Sequence, residues 1–191
     1  MDLEPVPDAP ALRVGDALVV ADLHIGIEEE LREKGVQIPS RAEVMGRRLV
    51  DLSERTKTKE LIVLGDVKHL VPKMASRERR DVYVFFRDLA ETFETITIAQ
   101  GNHDGILRNI VPRTVRFRSP YGFRDGEVGF CHGHAWPFKK VMDAQTLVMG
   151  HNHPAVGFRD RLGRREIVPC WMRAPSRRST KRYPKLPRET I

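Results

Sequence analysis

Apolar positions follow two different rhythms along this chain. Short runs rich in β-branched and aliphatic residues, ALVVAD (17–22), ELIVLGD (60–66) and TITIAQGN (95–102), read as strands. Between them the spacing lengthens to that of a helix. One helical pattern opens at Pro39 and Ser40, with Glu43 three residues after Ser40 as a capping box, and carries Ala42, Met45, Leu49 and Leu52 on one stripe. A second follows Ser76 and places Val82, Phe85, Phe86, Leu89 and Phe93 on one face. Strand and helix alternating at this spacing predict right-handed βαβ units and a parallel sheet.

Beyond residue 114 the pattern changes. Short strand candidates at TVRFRS (114–119), EVGFCH (127–132), TLVMGH (146–151), AVGFRD (155–160) and RREIVPCW (164–171) are separated by Gly, Pro and Asp. They predict a second sheet, mostly antiparallel or mixed. No internal repeat is present.

With 191 residues the chain fits one domain with a proper core. No apolar run approaches the roughly 20 residues of a membrane span, and the start, MDLEPVPDAP, lacks the features of a signal peptide, so the expectation is a cytoplasmic protein with no membrane partner. Two cysteines, Cys131 and Cys170, are too few for a disulfide framework and read as small buried thiols. The net charge of +7 is concentrated at one end. Residues 171–191 hold seven basic side chains (Arg173, Arg177, Arg178, Lys181, Arg182, Lys185, Arg188) against Glu189, a balance of +6, which leaves about +1 for the other 170 residues. The division expected is a domain over 1–170 and a basic tail over 171–191, where PKLPRETI hints at a last strand that is short or incomplete. Such a tail can track the phosphates of nucleic acid or simply stay solvated. Oligomeric state is left open.

Polar chemistry gathers where the strands stop. VMGHNHP (148–154) sets His151 and His153 one residue apart, on the same side of an extended backbone. ALVVAD delivers Asp22 and then His24; ELIVLGD delivers Asp66 and then His69; TITIAQGN delivers Asn102, His103 and Asp104; EVGFCHGH delivers His132 and His134. All seven histidines lie just beyond a predicted strand end. Taken singly, GD at 65–66 and DG at 104–105 are ordinary turn dipeptides, and His69 can be a surface residue opening a loop. Together, at the carboxyl ends of strands, they predict a metal site. Carboxylates, imidazoles and one amide oxygen without thiolate suit Mn²⁺, Fe or Zn²⁺. Seven ligands exceed the need of one ion and fit a pair about 3.5–4 Å apart, bridged by a carboxylate. Tyr121, Phe123, Trp136 and Phe138 near these motifs are expected in core packing or a lid, with base stacking as the alternative.

DLH, GDVKH, GNHD, CHGH and GHNH, in that order, resemble the five motifs of the calcineurin-like metallophosphoesterases, and look most like those of small archaeal phosphoesterases related to SbcD-type nucleases. The resemblance runs from about residue 17 to 170. It implies an α/β fold, a four-layer α/β/β/α sandwich of two mixed sheets. It also implies that Asp22, His24, Asp66 and His153 hold one ion and that Asp66, Asn102, His132 and His151 hold the other. His103 matches the catalytic histidine, and a histidine at position 69, where the protein phosphatases carry aspartate, resembles the nucleases and diesterases. His134 matches no ligand role and is expected behind the ligands. The activity implied is hydrolysis of phosphodiesters, of nucleotide or nucleic-acid type, by a hydroxide bridging two divalent ions. Mn²⁺ is the first expectation, with Fe, Zn²⁺ and Ni²⁺ as alternatives. Rival readings are a phosphomonoesterase, a scaffold on the same fold, or a nucleic-acid-binding module with a structural metal. No segment here is long enough for the capping domain of SbcD-type nucleases, which favours small diesters, nucleotides or single strands over duplex DNA.

Overall fold

A computed structural model describes residues 2–72, 74–175 and 189–190, the last pair by backbone alone. The first sheet holds six strands in chain order: β1 (Leu3–Pro5), β2 (Leu12–Val14), β3 (Ala17–Val20), β4 (Glu60–Val63), β5 (Thr95–Ala99) and β6 (Arg116–Arg118). The first three are antiparallel neighbours, and β3 to β6 run parallel. Helix α1 (Ile27–Glu33) and the longer α2 (Ala42–Thr56) lie between β3 and β4, and α3 (Ser76–Leu89) lies between β4 and β5. Side chains alternate across this sheet. Leu18, Val20, Leu61, Val63, Ile96 and Ile98 pack on one face with Leu49 and Leu52 of α2 and Val82, Phe85, Phe86 and Leu89 of α3. Val19, Ile62, Leu64 and Ala99 point the other way and meet Val128, Phe130 and Val148. Burial on both faces is why these strands are written as unbroken apolar runs.

The second sheet, in spatial order, is β12 (Ala174–Pro175), β13 (Glu189–Thr190), β9 (Thr146–Met149), β8 (Val128–Cys131) and β7 (Phe123–Asp125). It is mixed: β8 and β9 are parallel, while β7 and β8 are antiparallel. Its outer face is covered by the short helix α4 (Lys139–Met142), where Val141 and Met142 pack on Cys131, Leu147 and Met149. Helix, sheet, sheet and helix make the four expected layers, the last of them a single short helix.

Three expectations need correction. TVRFRS supplies β6, but β6 continues the first sheet beside β5 instead of joining the second. AVGFRD and RREIVPCW supply β10 (Ala155–Arg159) and β11 (Arg165–Pro169), which pair only with each other among the described residues and stay exposed. Both faces of that hairpin mix apolar with charged positions, Val156 and Phe158 beside Glu166 on one, Ile167 beside Arg159 and Arg165 on the other, so neither is suited to a core. The Ser40–Glu43 capping box does not form. Ser40 Oγ accepts the Ala42 N–H at 3.3 Å, and the buried Glu28 of α1 accepts the Arg41 N–H at 2.8 Å, so the helix start is satisfied from a neighbouring helix. Residues 176–188, with six of the seven basic tail residues, lie outside the described residues.

Candidate metal centre

Parallel strands end at a common edge. The loops after β3, β4 and β5 therefore emerge side by side, opposite those after β8 and β9. Their backbone is unusual. Seven described residues other than glycine have left-handed φ, and five of these are Asp22 (54°), His24 (46°), Asp66 (48°), His151 (68°) and His153 (42°). Such conformations cost on the order of 1–2 kcal/mol per residue and concentrate at functional sites. Close approach is enforced by glycine. A Cβ on Gly101 would stand 2.3 Å from both the N and Oδ1 of Asp66, and one on Gly65 would stand 2.6 Å from the His132 ring.

The side chains fall into three sets, each with ligand atoms within 4.8 Å of one another: Asp22, His24 and His153; Asp66, His132 and His151; and His24, His69 and His103. Asp66 is central. Its Oδ1 accepts the His103 N–H at 3.0 Å, and its Oδ2 lies 3.2 Å from His132 Nε2 and 3.9 Å from His103 Nε2. Asn102 Oδ1 joins this group at 3.1 Å from His132 Nε2. On the other side Asp22 Oδ1 is 3.6 Å from His153 Nε2, while Oδ2 accepts the His151 N–H at 3.0 Å. His134 sits behind, its ring 5.2 Å from that of His132 and 6.2 Å from that of His151.

These groups suit a cation. His132 Nδ1–H donates to the Leu64 carbonyl at 2.7 Å, which turns Nε2 toward the oxygens of Asp66 and Asn102. Three acceptors then converge on one point, and a positive ion satisfies all three. Asp22 Oδ1 is buried without a hydrogen-bond partner, another oxygen aimed at the same space. Burial lowers the pKa of His24 despite Asp66 nearby, and burial followed by the charge of His132 lowers that of His134. With no ion bound, the alternative is a protonated His132 whose Nε2–H donates to Asp66: burial opposes ionisation of Asp66, yet that bond and the one from the His103 N–H outweigh it and hold the carboxyl below its ordinary range. The same contact outweighs burial at His132 and raises its pKa.

His69 and His103 stand at the rim of this group. His103 Nδ1–H donates to the His69 carbonyl at 2.5 Å, and the His69 ring touches Glu30 at 2.6 Å and His24 at 3.4 Å. Glu30 is held down to about 2, first by the hydrogen bond from His69 and then by Lys34. Three acids hold the loops: Glu78 and Glu30, which the motifs did not single out, and Asp104, which the motifs grouped with the metal-binding residues but which belongs to no ligand set. Asp104 accepts the Val67 and Gly101 N–H groups at 2.9 and 2.8 Å, Glu78 of α3 accepts those of His69 and Leu70 at 3.0 Å each, and Glu30 fixes the His69 ring. A signal for Asp104 existed in GNHD, where it reads as a turn residue; Glu78 stands in the first turn of α3, where an acid has a routine reason to be. Of the four aromatics noted in the sequence, Phe123 packs between the sheets, while Tyr121, Trp136 and Phe138 are exposed. Beside Asp22 and His153 opens a cavity of about 610 Å³ whose wall includes Pro10, Met149, Trp171 and Met172.

Two mixed sheets face to face, helices outside and loops converging at one edge define an α/β/β/α sandwich. Among solved structures the chain is similar to the Pseudomonas putida nuclease MPE, with a TM-score of 0.51 and 22% identity over 76% of this chain. It spans just under two thirds, 66%, of that nuclease. The phosphoesterase Yfce from E. coli also matches, with a TM-score of 0.45 and 18% identity over 75% of this chain and 73% of that one. No protein-family model matches the sequence, and no curated protein does.

Proposed function

We propose that this chain is a two-metal phosphodiesterase of the calcineurin-like metallophosphoesterase kind, with the SbcD-related phosphoesterases as its nearest kin. The observation that carries the reading is that Asp66 shares one ligand set with His132 and His151 while its Oδ2 also lies 3.9 Å from His103 of a second set. Asp22, His24, Asp66 and His153 would hold one divalent ion, and Asp66, Asn102, His132 and His151 the other. Mn²⁺ is the ion of choice for this donor set, with Fe, Zn²⁺ and Ni²⁺ able to replace it. A bound pair supplies neutralisation of phosphate oxygens and activation of water near neutral pH.

The remaining residues orient and protonate. Anchored through Nδ1, His103 presents Nε2 to the reacting phosphate and can give a proton to the departing alkoxide, a contribution of roughly 10²–10⁴ in rate. His69, steadied by Glu30, offers a second imidazole to the phosphate, which suits a diester with its two substituents. No helix among the described residues is long and apolar enough to cross a membrane. The two free cysteines fit a cytoplasmic setting.

The test is turnover of bis-p-nitrophenyl phosphate against p-nitrophenyl phosphate with Mn²⁺. Preference for the diester is expected. Preference for the monoester makes the chain a phosphomonoesterase, and no Mn²⁺-dependent turnover of either rejects the enzyme reading.

A further inference from the structure

No carboxylate stands between Asp104 and Asp125, and four of the five arginines of that stretch gather at the edge of the first sheet beside β6. Arg108, Arg113, Arg116 and Arg118 line a cleft of about 650 Å³ together with Pro112 and Phe117. Arg108 lies over the Phe117 ring and Arg118 over the Phe123 ring, at 5.4 and 5.3 Å. Among the described residues none of the four forms an ion pair, and Arg113 and Arg116 touch neither a ring nor an acid. Like charges crowded into one cleft raise each other's energy. The chain before the tail sums to only about +1, so this concentration is local and calls for an anionic occupant.

The Arg118 end of the cleft lies on the side of the sheet that carries the candidate metal centre. Because β6 is parallel to β5, with Arg118 beside Ala99 and its carbonyl accepting the Gln100 N–H at 3.4 Å, Arg118 stands at the edge where Asn102 and His103 follow. From there the arginines lead back along the sheet edge, away from the scissile position. A small diester would not reach them; phosphates further along a chain would. Three residues on from Arg118 along the chain, Tyr121 packs ring to ring on Phe138 at 5.1 Å, the two 46% and 43% exposed, a platform on which a base can stack. A basic groove beside exposed rings is the usual recipe for holding single strands. We propose, resting on the phosphodiesterase reading, that this cleft is the track for the phosphates of a single-stranded nucleic acid flanking the cleaved bond.

Binding of a fluorescein-labelled single-stranded oligonucleotide, followed by anisotropy in EDTA over a range of salt, tests the track without relying on turnover. R113A/R116A is expected to bind at least about tenfold more weakly, with a slope of log affinity against log salt shallower by about 1.4, two contacts at roughly 0.7 each. R113K/R116K should keep the slope. Turnover of bis-p-nitrophenyl phosphate with Mn²⁺ should be unchanged in both variants, which also shows that they fold. Unchanged affinity and slope in R113A/R116A would overturn the proposal. So would loss of binding in R177A/R178A alone, tighter binding of the matching duplex, or competition by polyglutamate as effective as by unlabelled oligonucleotide. Absence of diester turnover in the parent chain would count against the metal reading while the anisotropy still judges the cleft.

Discussion

Asp104 belongs to no ligand set, yet it decides where the ligands stand. Its two oxygens tie the Gly101 N–H after β5 to the Val67 N–H after β4, while burial, the largest influence, pushes its pKa up. Asn at this position would turn an NH₂ group toward one of those donors. D104N is expected to lose about 1–3 kcal/mol in urea unfolding, the cost of a buried polar group left without a partner. Gly101 is as demanding in the opposite sense. In G101A the new methyl must displace Asp66, and isothermal titration should show Mn²⁺ binding lost while far-UV circular dichroism keeps its helical signal. Cysteines make a third contrast. Burial raises the Cys131 thiol to about 12, whereas Cys170 lines the cavity beside Asp22 and His153. Iodoacetamide on the native chain at pH 8 should therefore mark Cys170 and spare Cys131, as read by peptide mass spectrometry.

Helix α3 does more than cover the sheet. From its first turn Glu78, fully buried, receives the N–H groups of His69 and Leu70, so the loop after β4 is braced by a helix that follows it. E78A should leave those donors unpaired. The expected result is a fall in diester turnover of tenfold or more, about 1.4 kcal/mol or above, with a lower melting temperature. Elements such as α3 and β3 to β5 were legible in the sequence because their apolar residues recur at the spacing of the element, as Val82, Phe85, Phe86 and Leu89 do. Helix α1 was not, since its one buried residue is Glu28, while Ile27 is 41% exposed and Leu31 only half-buried. Nor does periodicity say which sheet a strand joins. RFR has the same pattern beside β5 as it would have beside β8, and the path of residues 100–115 decides.

At the scale of the molecule the candidate centre straddles the two sheets. Asp22, His24, Asp66 and Asn102 come from the first and His132, His151 and His153 from the second, so ions held between them would also hold the layers together. Divalent metal should then raise the unfolding temperature, by about 2.7 kcal/mol of stability at a hundred times the dissociation constant, and chelation should reverse it. In H151A the shift in a thermal melt with Mn²⁺ should shrink or vanish. The gathering of these side chains could be read from the chain because each stands at the end of an apolar run, and parallel strands bring such ends together. The bracing roles of Asp104, Glu78 and Glu30 could not, even though Asp104 stands at such an end, because what they do depends on distances across the fold that no spacing along the chain encodes. The left-handed twist at Asp22, His24, Asp66, His151 and His153 has one more consequence. A chain shaped only to stay folded would write glycine at such corners, so this one keeps aspartate and histidine there at the expense of its own resilience. H153G, with its mostly exposed ring removed, should melt in EDTA no lower than the parent and lose most of the protection that Mn²⁺ confers.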